Sequence, residues 1–298
     1  MSLRPARLRL PGRRRPAPPA DGTMALIDHL HEFRRRLFAA TVALAAGTAL
    51  GFLWFGHGIS AIGLPSLGDI LTGPYCAVPA TNRVTFGDDN TCQLLATGPF
   101  SALELQLKSA LIAGSVLTAP IWLHQLWSFV APALHRRERR YAVVFSAVGG
   151  LLFVTGAVLA YVVIREGLTV LLGFGGDTTV TALSPESYFA FLIAMLIIFG
   201  VSFELPLLLI MLNSAGVLTG ARLARSRRYA IFGLVVFAGL IVPGNDPITM
   251  GALAVALVVL YEVAVQVARA HDRRAVKRAA TTELADSEPS PLEPAGRA

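Results

Sequence analysis

Charge is scarce in this 298-residue chain. Asp, Glu, Lys and Arg make up 15% of it, against 54% hydrophobic residues and a mean hydropathy of +0.60. A water-soluble domain of this length carries about a quarter of its residues charged, so that class is excluded. Patterns of chemistry are missing too. No His-Glu-x-x-His or Gly-x-Ser-x-Gly run occurs, and the six histidines (His29, His31, His57, His124, His135 and His271) fall outside the apolar segments or at their ends. We therefore expect no catalysis, metal, cofactor or nucleotide site. The two halves also show no inverted or parallel repeat, the mark of many multi-pass carriers.

What charge there is has a pattern. Of 26 Lys and Arg, nine lie in residues 1–36, four in 135–141, four in 213–229 and six in 269–298, leaving only Arg83, Lys108 and Arg165 elsewhere. Basic residues concentrated in alternate loops are the positive-inside signature of a polytopic membrane protein. A nucleic-acid binder would gather them on one folded face, so no nucleic acid is expected as a partner.

Six apolar segments emerge, at about 37–55, 102–130, 142–164, 187–212, 229–242 and 248–268. The fold class expected is all-α, with six transmembrane helices and both termini cytoplasmic. The loops 56–101 and 165–186 then face outside, and each nets two negative charges. The second segment is long and broken by Pro120, which predicts a kink. The fifth, at 14 residues, reaches about 21 Å as helix against a hydrocarbon core of about 30 Å. The turn Pro243-Gly-Asn-Asp246-Pro247 should therefore sit below the outer surface. The domain expectation is a disordered basic extension over 1–23, a membrane domain over 24–268 and a largely disordered cytoplasmic tail over 269–298. Cys76 and Cys92 share the long external loop with 15 residues between them. A disulfide there would stabilise by about 3 kcal/mol, and two free thiols are the other reading.

Three places carry polar chemistry in or beside the apolar segments. Glu204 stands inside the run Phe189–Leu212, where insertion of an acid costs roughly 2.5 to 3.5 kcal/mol. Pro206 adjoins it and frees a backbone carbonyl one turn earlier. Ahead of the first span, Leu26, Leu30, Phe33 and Leu37 repeat at helical spacing, with Asp28, His31, Glu32 and Arg35 on the other face. This predicts an interfacial helix, either a plain surface anchor or a site that uses Glu32. Finally, Glu138 lies among four arginines after Gln125, Trp127, Phe129, Pro132 and Leu134. It either neutralises its own loop or, with Glu32, receives a pair of guanidinium groups, since the arginine fork matches carboxylates bidentately.

The order of these motifs resembles the C subunit of the twin-arginine protein translocase, the TatC family. His29-Leu30-His31-Glu32-Phe33-Arg34-Arg35-Arg36 matches the family's opening pattern with Phe33 in place of Leu. The run from Pro120 through Gln125, Trp127, Phe129, Pro132 and Leu134 to Glu138-Arg139 matches its second. Phe203-Glu204-Leu205-Pro206, Arg228-Tyr229, the hairpin Pro243 to Asp246 and Tyr261-Glu262 follow in order. The resemblance implies a cupped, six-helix receptor in the cell membrane for twin-arginine signal peptides of folded cargo, driven by the proton-motive force. It implies that Glu32, Arg34, Phe129, Leu134 and Glu138 bind the signal peptide. Glu204, with Pro206 and Tyr161, would face partner helices, the single-span TatA/TatB subunits, while Pro74, Gln125 and Asp246 serve structure or assembly. Self-association and contact with membrane lipid are implied as well. Val242 and Met250 stand where the family often has a threonine and a polar residue. The competing reading is a small-solute or ion carrier built on Glu204.

Overall fold

The computed structural model describes residues 26–58, 63–79, 92, 98–130, 139–173, 183–244 and 246–286. The regular elements among them are helices: α1 (Leu26–Phe55), α2 (Leu67–Cys76), α3 (Ser101–Leu117), α4 (Ala119–Val130), α5 (Arg139–Gly173), α6 (Pro185–Ser202), α7 (Leu205–Ser214), α8 (Gly220–Arg225), α9 (Arg227–Ile241) and α10 (Pro247–Asp286). Four stretches are long and apolar enough to cross a bilayer: 30–55, 143–173, 185–214 and 247–278. The pair α3 and α4, bent by 62° across Thr118, makes a fifth if the two are taken as one broken span. At 15 residues α9 is about 22 Å long, shorter than a hydrocarbon core.

Prolines place the breaks. Pro120 brings no N–H to the start of α4, and α3 closes on Thr118, whose Oγ1 donates to the Gly114 carbonyl at 2.7 Å. The break leaves carbonyls unmatched, and the Trp122 indole N–H takes that of Ser115 at 2.9 Å. Pro206 does the same in the first turn of α7. The chain nevertheless keeps right-handed helical dihedrals through Phe203 and Glu204, so α6 and α7 continue as one bent path.

α1 meets α3 backbone to backbone. A Cβ placed on Gly114 would stand 2.4 Å from the Thr48 nitrogen and 2.5 Å from the Gly47 carbonyl carbon, and one on Gly51 would stand 2.8 Å from the Ala110 oxygen. Gly47 and Gly51, like Ala110 and Gly114, are four apart, so each helix presents a stripe of small residues to the other. Most other α1 side chains, such as Leu37, Phe38, Leu50 and Leu53, are exposed to the surroundings. The main core lies between α5, α6 and α10, with Tyr188, Leu192, Met195, Phe199, Ile164 and Leu257 fully buried.

Three features depart from expectation. The segment before the first span is not a separate interfacial helix but the opening turns of α1. The loop 56–101 contains α2, which is capped by Ser66 and buries Leu67, Leu71 and Tyr75. The last helix runs on to Asp286, so 269–286 is helical where a disordered tail was expected; Ala, Arg and Lys in that stretch are strong helix formers and need no core to hold the pattern. Residues 1–23 and 287–298 lie outside the described residues. Cys76, the last residue of α2, is bridged to Cys92 with Cα atoms 5.7 Å apart.

Gly114→Ala should cost about 1–3 kcal/mol by forcing α1 off α3, while Gly233→Ala, with nothing within 4 Å of its added methyl, should leave stability unchanged or raise it. Thermal unfolding of the two purified variants in detergent compares them. Equal midpoints would remove the backbone crossing from the account.

Candidate functional site

Two motif segments nearly a hundred residues apart in sequence meet at one end of the helices. The Phe33 ring on α1 lies 5.3 Å from the Phe129 ring on α4, tilted by 55°. Beside this pair Glu32 is half-buried. Its Oε1 accepts from Arg36 Nε at 3.1 Å and Nη2 at 2.5 Å, an i,i+4 pair along the helix. Among the described residues nothing bonds its second oxygen, Oε2. Arg34 is exposed, and Gln125 is half-buried one turn before Phe129. Leu134 and Glu138 lie outside the described residues.

A second polar locus sits deeper. Glu204 sits at the break between α6 and α7, and both its carboxyl oxygens are buried without a hydrogen-bond partner among the described residues. Trp127 Nε1, buried as well, faces the Glu204 carboxyl without the geometry of a formed hydrogen bond. Both groups converge on Gly149 of α5, with Glu204 Oε2 3.0 Å and Trp127 Nε1 3.1 Å from where a Cβ there would stand. Three residues earlier on α5, Ser146 Oγ bonds His124 Nδ1 at 2.9 Å, and Ser128 approaches the same ring. An acid, an indole N–H and an imidazole thus line one seam between α4, α5 and α7. Burial of unpaired polar groups is costly, and a neighbouring helix bearing a donor would relieve it.

Other predicted residues take part in contacts within the chain. Pro74 deprives the Ile70 carbonyl of its helical donor, and the Tyr161 hydroxyl donates to that oxygen at 2.7 Å. The Tyr188 hydroxyl donates to the Leu71 carbonyl at 2.6 Å, so two tyrosines moor α2 to α5 and α6. Asp246 is buried and caps α10, accepting from the Thr249 N–H at 2.7 Å. Sequence reasoning missed a clip at the other end of α10. Asp272 accepts from Asn213 Nδ2 at 2.9 Å and from the Gly220 N–H at 2.7 Å, tying the turn after α7 to α10. It was visible as an acid in a basic stretch, the same signal that singled out Glu32 and Glu138. Arg227, not the motif's Arg228, pairs with Glu262.

Residues 28–255 match the family model of the Sec-independent protein translocase protein TatC. The chain belongs to the TatC family. Among its relatives, a Sec-independent protein translocase protein TatC of Corynebacterium kroppenstedtii is 48% identical over 281 residues, covering 91% of this chain and 68% of the relative. Another, of Frankia casuarinae, is 42% identical over 280 residues, 92% of this chain and 74% of the relative. Crystal structures of a twin arginine translocase receptor, TatC, match with TM-scores of 0.61 and 0.59 at 30% identity. They cover 80% and 81% of this chain and 99% and 98% of theirs. With its apolar helices, membership makes the chain a multi-pass membrane protein and a protein translocase component. The carrier reading finds no support among these relatives.

Tyr161→Phe removes the donor to Ile70 at a cost of about 1 kcal/mol. Hydrogen exchange should then speed up in 67–76 and stay unchanged in α9. No change in 67–76 would mean that α2 is held without the tyrosine.

Proposed function

We propose that this chain is the membrane receptor and core subunit of a twin-arginine translocase. In this reading it spans the cell membrane six times, with both termini and the α1–α4 end in the cytoplasm. The contact between Phe33 and Phe129 carries the proposal, because it joins the two motif segments into one face. In this reading Glu32, Arg34 and Phe129, together with Leu134 and Glu138, line the site that takes the arginine pair of a signal peptide. The incoming guanidinium takes Glu32 Oε2 and competes with Arg36 for the rest of the carboxylate. An i,i+4 ion pair contributes only about 0.3–0.5 kcal/mol, whereas hydrogen bonds to a charged group contribute about 1.5–3, so Arg36 yields. The aromatic pair beside it offers faces on which a planar guanidinium stacks and an ammonium does not. The second arginine is assigned to Glu138. The chain supplies no catalysis.

Glu204 is the contact for a polar side chain on a single-span TatA/TatB-type helix, with Trp127 and Gly149 shaping the place. A neutral hydrogen-bonding group should serve there. In an export assay, Glu204→Gln should retain much of the activity and Glu204→Leu little. Equal loss in both would require the ionised carboxylate instead.

Photo-crosslinking from position 31 to a signal peptide in membranes tests the receptor face. Crosslinks should form with the Arg-Arg peptide, fade with Lys-Lys, and fade with Glu138→Ala. Equal crosslinking by both peptides would make these acids ordinary loop charges.

A further inference from the structure

Four arginines ring α8 with no role in the site just described. One pocket of about 460 Å³ is lined by Arg222, Arg225 and Tyr229, with small side chains between them. A second, of about 600 Å³, is lined by Arg225, Arg269, Asp272 and Arg273. Arg225 and Ala221 belong to both, so the pockets adjoin across α8. Among the described residues none of these four guanidiniums forms an ion pair with a carboxylate. Two acids lie near them: Asp272, which keeps its charge in the lining of the second pocket, and Glu262, which feels Arg269 but is paired with Arg227. Both oxygens of Asp272 are bound by the Asn213 amide and the Gly220 N–H, and Glu262, two turns before Arg269 on α10, is held by Arg227. With one carboxylate, Asp272, among four arginines, the two adjoining pockets keep a net positive charge, which suits a ligand with two negative groups a few ångströms apart, and the arginine fork favours phosphate.

Tyr229 decides what carries those phosphates. It lines the first pocket and begins α9, and from it Phe232, Val236 and Leu240 continue along one exposed face of that helix. Of the α9 residues only Ala238 is buried. The ligand therefore has acyl chains that run from the pocket down an apolar stripe, with an aromatic ring at the headgroup level. Because α9 is short, the bilayer beside it is thin, which brings headgroups down to the α8 level. We infer that the two pockets flanking α8 bind the headgroup of an anionic phospholipid bearing two phosphodiesters, with its acyl chains on the exposed face of α9. Arg225 sits between the two phosphates, Arg222 holds one, and Arg269 with Arg273 holds the other. Such a lipid would fix α8 and the start of α9 against α10, adding to the clip that Asp272 makes.

The test is native mass spectrometry of the full chain in a neutral detergent, doped with diphosphatidylglycerol, phosphatidylglycerol, phosphatidylcholine or inorganic pyrophosphate. Diphosphatidylglycerol should bind tightest, phosphatidylglycerol more weakly and phosphatidylcholine least, and pyrophosphate should fail to displace the first. Arg225→Gln with Arg269→Gln should weaken diphosphatidylglycerol binding about ten- to thirtyfold. The control, Arg228→Gln with Arg274→Gln, takes the same charge from the same region without touching either pocket, and should cost less than about threefold. Arg225→Lys, which keeps the charge and loses the fork, should fall between them and covers the case of a poorly folded double variant. Three outcomes would overturn the inference: equal losses in pocket and control variants, phosphatidylcholine binding as well as the anionic lipids, or displacement by pyrophosphate at concentrations equal to the lipid. The first would mean diffuse surface charge, the second mere apolar adhesion, and the third a site for a soluble phosphate.

Discussion

Where Gly47 and Gly51 cross Ala110 and Gly114, two helix backbones touch, and the placement of α1 rests on that touch. Few of its side chains are buried, so packing of large residues cannot set its position. Small residues at the crossing let the helices approach until their backbones fill the gap, which is how helices associate when lipid tails are as apolar as the protein. One turn past Gly114 the chain bends by 62° at Thr118, and α4 carries Phe129 back to Phe33. A wider separation of α1 and α3 would move Glu32 off the face it shares with α4. The candidate receptor face is thus a consequence of glycines located well inside the helices.

A second constraint is the accounting of backbone carbonyls where water is absent. Each proline break exposes an oxygen, and a neighbouring side chain meets one beside two of the breaks: Tyr161 at Ile70 and Trp122 at Ser115, while Tyr188 adds a bond to the Leu71 carbonyl. Tyr261 does the same for Leu223 at the end of α8. Against this background the unpaired Glu204 carboxyl and Trp127 indole stand out. Single atoms of Ser109, Asn213, Asp246 and Thr249 are also buried without a partner, but Glu204 and Trp127 lie side by side against Gly149, which supports reading the seam as a place completed by another helix.

Much of this was legible in the sequence. Apolar run length gave four of the spans, Pro120 gave the bend, and a lone acid in an apolar stretch gave Glu204. The short fifth segment was visible as missing length, and α9 has it. Other features were hidden for physical reasons. The Leu67, Leu71 and Tyr75 repeat is only three residues long within a polar loop, too brief for periodicity to register. The end of α10 reads as a polar tail, because charge and low hydropathy mask its high helix propensity. The clip between Asn213 and Asp272 joins residues 59 apart, and no local pattern announces it. The Gly47-x-x-x-Gly51 spacing was present to be read, but its meaning depended on knowing that Ala110 and Gly114 lie opposite.

In the proposed receptor, the Glu32 carboxylate, held beside the Phe33–Phe129 pair, tells arginine from lysine. The most direct measurement is the affinity of Arg-Arg and Lys-Lys signal peptides for the protein in lipid bilayers, with and without Glu32→Gln. The Arg-Arg peptide should bind about tenfold or more tighter, and the preference should collapse in the variant. A preference of the same size in Glu32→Gln would contradict this role and place the arginine site elsewhere.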